Sequence, residues 1–259
     1  MNLIVTTVEQ GLIYGILALG VYITYKILDF PDLTVDGSFP LGAAVTAALI
    51  VRGVNPYLTL LISFGAGVLA GVCTGLIHVK CKVRDLLSGI MMTALWTINL
   101  RIAGTANVPI FGEESIFDND NMNGIFHGTL ASYKVCVIVL VIAVIAKIVL
   151  DLYLKTKSGF LLRAVGDNEH LVTSLAKDQG NIKILGLAIA NGLVALAGCI
   201  FCQEQRVFEI SSGTGAIVIG LASVIIGTSL FKGLTFMKAT TAVLIGAIIY
   251  KACVAAALK

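Results

Sequence analysis

Charge is what this sequence has least of. Only 13% of its 259 residues are Asp, Glu, Lys or Arg, while 58% are hydrophobic. A soluble domain carries roughly 25% charge. A surface this poor in charge cannot face water, so the chain reads as an integral membrane protein. The net charge of +3 is too small and too dispersed for a nucleic-acid binder. Proline is scarce, at four, and long Leu, Ile, Val and Ala runs dominate. The ~10-residue alternating segments of a transmembrane barrel are missing, which leaves membrane helices. His78, His127 and His170 are scattered without metal-ligand spacing. There is no GxxxxGK[ST] to cradle phosphates and no nucleophile–base arrangement. Cys199 and Cys202 form a CxxC with no second pair and apolar flanks, so they read as small buried hydrophobes. No basic residue precedes Lys26, so the first 25 residues read as a membrane helix and not as a signal peptide.

What is present is a series of eight apolar runs: 10–25, 37–51, 53–79, 86–106, 132–154, 184–203, 210–231 and 239–258. A spanning helix needs about 20 mostly apolar residues. The expected fold is therefore all-α and polytopic, one transmembrane domain over residues 1–259. Basic residues set the orientation. Lys80, Lys82 and Arg84 crowd one loop, and Lys155, Lys157, Arg163, Lys177 and Lys183 another. Lys232 and Lys238 fall on the same side, which is cytoplasmic, and the N-terminus is outside if every run spans. Ser63, Gly67, Gly71 and Gly75 recur every fourth residue, as do Gly11 and Gly15. Such stripes let helices approach closely, within one subunit or between two. Arg101 and Lys134 read as helix-end residues reaching the headgroups, with proton coupling as the alternative.

Two polar interruptions stand out. Residues 26–40, KILDFPDLTVDGSFP, set Asp29, Asp32 and Asp36 between two apolar runs. Ser38 and Pro40 predict a new helix with Pro in its first turn. Residues 203–215, QEQRVFEISSGTG, interrupt the second half in the same way. Paired breaks of this kind point to a transport pathway built from discontinuous helices; the alternative is two interfacial loops. Between the halves lies a polar stretch, 154–183. Leu171, Leu175 and Ala176 have helical spacing there, with Asp167 or Asn168 as the cap. A short amphipathic helix would dock a soluble partner or lie on the headgroups.

Residues 31–45, PDLTVDGSFPLGAAV, resemble the "DLSVGS" element of the sugar and branched-chain amino-acid permeases of ABC importers. Residues 220–233, GLASVIIGTSLFKG, resemble their "AAVVIGGTSLSGG" segment, and 158–181 is similar to their coupling loop. The wording of residues 29–45 is most similar to a branch paired with lipoprotein binding proteins and implicated in tryptophan or tyrosine uptake. Asp36 is inserted relative to the sugar-permease element, which argues against a sugar. Such relatives usually continue into a further apolar helix beyond residues 255–259, so a truncated C-terminus is one expectation.

The resemblance implies the permease fold of the vitamin B12 importer type, with no enzyme activity and no cofactor in this chain. The implied partners are a second permease subunit (a homodimer), two cytoplasmic ATPases carrying ATP and Mg, and an extracytoplasmic binding lipoprotein. The setting is lipid in a bacterial cytoplasmic membrane, with no nucleic acid. The cargo is a small polar solute, an amino acid, with an aromatic one favoured. Pathway residues are expected at Asp29, Phe30, Asp32, Thr34, Asp36, Ser211, Ser212 and Thr214. Phe30 is the residue to stack on an aromatic cargo, and the half-helix N-terminus near Ser38 is the one to face a carboxylate. Coupling to the ATPases is expected from Gly159, Arg163, Gly166, Asp167, Asn168, Leu171 and Leu175. The competing reading is an ion- or proton-coupled secondary transporter or channel that needs no ATPase.

Overall fold

The structure is a computed structural model that describes the chain apart from residues 1, 31, 82–85, 120–132, 168–178, 234–236 and 258–259. Each of the eight apolar runs forms a helix. These are α1 (Asn2–Val21), α2 (Val35–Ile50), α3 (Pro56–Cys81), α4 (Leu86–Ala103), α5 (Lys134–Tyr153), α7 (Gln179–Gln205), α8 (Ala216–Leu230) and α9 (Ala239–Ala257). Between α5 and α7 lies a further helix, α6 (Lys157–Asp167). Among the described residues, six stretches are long and apolar enough to cross a membrane: 4–27, 56–80, 134–153, 179–205, 210–230 and 239–257. The α2 helix, at 16 residues, is shorter than the about 20 that a spanning helix needs.

The bundle is organised around α7, whose buried side runs from Gly180 to Gln203. Small residues let its neighbours close on it. The predicted stripe on α3 lies antiparallel along α7: a Cβ on Gly67 would collide with the Asn191 carbonyl, and one on Gly71 with the Leu187 carbonyl. The stripe therefore serves packing within the chain. Gly11 and Gly15 seat α1 against Ile248 and Leu244 of α9 in the same manner. Without a hydrophobic force between helices in lipid, this backbone proximity and interhelical polar contacts hold the bundle together. At the opposite extreme, α5 leaves Val137, Leu140, Val141, Val144, Ile145, Ile148, Val149 and Leu152 exposed, as a lipid-facing helix must.

At the outer face two short strands, β1 (Asn107–Pro109) and β2 (Val207–Glu209), pair antiparallel with Val108 opposite Phe208. The ribbon is pinned twice. Gln203 donates to the Thr59 hydroxyl at 3.0 Å and accepts from the Ile116 N–H at 2.9 Å. Arg206, at φ +59°, donates to the Glu113 carbonyl at 2.8 Å and to Asp118 at 3.0 Å. Asp118 also pairs with Lys134 at 3.9 Å, so Lys134 is tied to protein and does not only reach for the headgroups.

Two boundaries differ from expectation. Helix α2 starts at Val35, so Pro40 lies inside it and not in its first turn. The start moves forward because the Thr34 carbonyl already accepts from the N–H groups of Gly37 and Ser38, at 2.9 and 2.8 Å. The carboxylate of Asp36 in the first turn also favours that end of the helix dipole. In the polar stretch 154–183 a helix not expected from the sequence, α6, ends at Asp167, so Asp167 closes a helix; the helix expected around Leu171 and Leu175 falls outside the described residues. Asn168, Leu171 and Leu175 lie outside the described residues. Finally, α1 continues beyond Val21 as a π-helical turn, Tyr22–Ile27.

Candidate functional site

The first interruption is a buried polar knot. Leaving α1, the backbone passes through Asp29 at φ +50°, a conformation that Asp tolerates better than most residues. Asp29 is exposed, and Phe30 lies ring to ring with His78 at 4.6 Å. Asp32 then turns inward, to 1% exposure. Its Oδ1 accepts from the Thr34 N–H at 3.0 Å and the Thr34 hydroxyl at 2.5 Å. Its Oδ2 accepts from Asn191 Nδ2 at 2.8 Å. The other end of the Asn191 amide, Oδ1, accepts from Ser38 at 2.6 Å and faces the Thr34 hydroxyl at 3.2 Å. Asn191 is fully buried at the middle of α7. A carboxylate at this depth survives only with such partners. The partners are amide and hydroxyl groups.

The second interruption is solved differently. After β2 the chain makes a 3-10 turn, Ile210–Gly213, and reaches the left-handed Gly215 at φ +79° before α8 begins. Gly213 presses so close to α2 that a Cβ there would collide with the Asp36 carbonyl. That carbonyl lacks its usual helical donor, since position 40 is proline. The carboxylate of Asp36 reaches across to cap α8: Oδ1 accepts from the Ile217 N–H at 2.7 Å, and Oδ2 from the Gly215 N–H at 3.2 Å. One helix thus caps another that lies 181 positions away in the chain. The two interruptions meet as a seam inside the bundle, with the starts of α2 and α8 side by side.

The predicted pathway residues divide accordingly. Asp32 and Thr34 belong to the knot, and Asp36 joins the two breaks. Ser211 is exposed and bonded to Glu209 on its own segment, and Thr214 is exposed. Ser212 carries a buried hydroxyl without a hydrogen-bond partner. The α8 N-terminus is occupied by the chain's own carboxylate, and Ser38 lies within α2, bonded to Asn191, so neither offers an open helix end. Sequence reasoning missed Asn191, whose only signal was being an amide in the middle of a charge-free apolar run. It also missed Asn99 on α4, fully buried, whose Nδ2 donates to the Gly37 carbonyl at 3.0 Å while its Oδ1 has no partner. A third omission is the aromatic cluster in which Tyr14 stacks on Phe39, Phe201 meets both rings at an angle, and Lys251 Nζ sits 3.8 Å over the Tyr14 ring.

The elbow formed by helix α6 and the turn before it touches this site directly. Helix α6 ends at Asp167, and Gly166 lies so close to the Ile27 carbonyl that no Cβ fits between them. Leu162, fully buried, and Leu28 both press on Gly186 of α7. Gly159 folds back on Tyr153 and Leu154. Of the predicted coupling residues, Gly159 and Gly166 therefore hold α6 to the bundle, while Arg163 is exposed.

An all-α membrane protein with two interrupted helices meeting in its interior, and a basic elbow resting on one of them, has the build of a solute permease. The family described as branched-chain amino acid transport system / permease component matches residues 3–257, and the chain belongs to it. It is 44% identical over 252 residues to the tyrosine transport system permease protein of Clostridioides difficile (strain R20291), covering 97% of this chain and 81% of that one. It is 35% identical over 235 residues to the uncharacterized protein RP368 of Rickettsia prowazekii (strain Madrid E), with coverages of 89% and 79%. The ribose import permease protein RbsC of Bacillus subtilis (strain 168) is more distant, at 27% over 231 residues, 89% of this chain and 69% of that one. No solved structure matches. The chain is a multi-pass protein of the cytoplasmic membrane, and its relatives are transport permeases of systems that include ATPase partners.

Proposed function

We propose that this chain is the membrane subunit of an ATP-driven importer for an amino acid, with tyrosine or a similar aromatic favoured. Two copies form the pathway between them. Two cytoplasmic ATPases, which hold ATP and Mg, grip the elbow, and an extracytoplasmic lipoprotein delivers the cargo. The chain performs no catalysis of its own. The observation that carries this reading is the seam: Asp32–Asn191 and Asp36–Ile217 place two helix starts against each other in the bundle interior. The substrate class comes from the 44% identical tyrosine transport permease.

The seam supplies a mechanism. Hydrogen-bonded helix ends are discrete contacts that are either made or broken, so they suit a switch between two packings. ATPase closure pushes α6. Gly166 passes that push to the Ile27 carbonyl without an intervening side chain, and Leu162 passes it to Leu28 through Gly186. Residues 28–34 then carry it to the Asp32 knot. The pathway opens and closes as the subunits rock on these contacts.

The test is uptake of labelled tyrosine into proteoliposomes holding the permease, its ATPase and its binding protein. Uptake should require ATP inside and all three components. Uptake by the permease alone would overturn the proposal in favour of a secondary transporter. A thermal-shift screen of the binding protein against amino acids and sugars should single out an aromatic amino acid; a sugar would overturn the substrate class and leave the transport mechanism standing.

A further inference from the structure

At its cytoplasmic end the protein holds a cavity of about 280 Å³ between the end of α1, the end of α5, the elbow helix α6 and the start of α9. We infer that this cavity binds the phosphate of an anionic membrane lipid. Its polar lining is Tyr22, Asp151, Lys155, Arg163, Lys238 and Thr240. The one carboxylate is already occupied. Asp151 Oδ1 accepts from Thr240 at 2.7 Å, and Oδ2 from Lys238 at 3.0 Å, with Lys147 at 3.4 Å. Asp151 therefore neutralises one of its own two lysines and no other cation. Lys155 and Arg163 are exposed on the same cavity and have no acceptor among the described residues. A concave site with surplus positive charge, a guanidinium and a tyrosine ring calls for a tetrahedral oxyanion.

The surroundings identify where that oxyanion comes from. The cavity adjoins α5, whose last turns expose Ile145, Ile148, Val149 and Leu152, and Phe160 is 60% exposed on α6 beside it. An amphiphile fits both surfaces, with its phosphate in the cavity and its acyl chains along α5. Basic pockets between membrane helices on the cytoplasmic side hold lipid headgroups in this way. A bound lipid would tie α6, the element resting on Ile27, to α5 and α9.

Native mass spectrometry of the purified permease in detergent tests this, with phosphatidylglycerol, phosphatidylcholine and inorganic phosphate as the probes. Phosphatidylglycerol should be retained at least tenfold more than phosphatidylcholine. Retention should fall to the phosphatidylcholine level in the Lys155→Gln/Arg163→Gln double variant. Lys155→Arg should keep it, and so should Lys26→Gln, an exposed lysine elsewhere. Equal retention of both lipids, or undiminished retention in the double variant, would overturn the inference. Competition by millimolar inorganic phosphate that matches the lipid would reassign the cavity to a free anion. Loss of ATPase co-purification in the double variant, with lipid retention intact, would reassign it to the partner protein.

Discussion

The two interruptions look alike in the sequence and are built on opposite principles. In residues 28–34 every polar side chain from Asp32 onward is buried and satisfied by another side chain, with Asn191 as the hub. In residues 206–215 the backbone carries the structure, through strand pairing, a left-handed glycine and two N–H groups given to a distant carboxylate. The first break is rigid because its groups have no other partners at that depth. The second faces solvent at Ser211 and Thr214 and is held by its strand pairing, by the buried Phe208 and by the carboxylate of Asp36.

That contrast can be broken experimentally. Asn191→Leu should have the largest effect, since it strips Asp32 and Ser38 of partners at once. A loss of about 3 kcal/mol is expected from leaving buried acceptors unmade, read as thermal unfolding in detergent; a near-neutral result would refute the hub. Asp36→Ala should cost about 1–2 kcal/mol, the usual value of a helix cap, and should reduce uptake more than stability. Asp36→Asn, which keeps one acceptor oxygen, should recover part of both. Gly215→Ala should cost about 1 kcal/mol, because its φ of +79° strains any residue with a Cβ. Ser211→Ala, on the exposed side of the same break, should stay within about 0.5 kcal/mol. If Ser211→Ala matched Asp36→Ala, the exposed side of the second break would matter as much as its helix cap.

The coupling contact adds a functional counterpart. Gly166→Ala forces the elbow off the Ile27 carbonyl. ATPase co-purification should persist while tyrosine uptake per ATP hydrolysed falls several-fold. A variant that transports at the original stoichiometry would remove Gly166 from the coupling route.

The eight helices were legible because run length and lack of charge are local properties of an apolar segment. Both breaks were legible for the same reason. The α2 start was not. Pro40 looked like a first-turn residue, but the helix began at Val35, where Asp32, Thr34 and Asn191 settle the turn together, and Asn191 is remote in the chain. The Asp36–Ile217 cap had no local signal either, since each partner looks ordinary in its own segment. The elbow helix Lys157–Asp167 was not legible because its buried positions, Leu162 and Val165, are few.

The wide winding of Tyr22–Ile27 has a mechanical corollary. A π-turn accommodates one residue more than the regular coil around it. Rewinding it would free that residue as slack, advance the chain by about 1.5 Å and swing the downstream backbone by roughly a quarter of a revolution. The segment leading into Asp32 is thus hung from an adjustable splice, with the elbow's glycine resting on its last carbonyl.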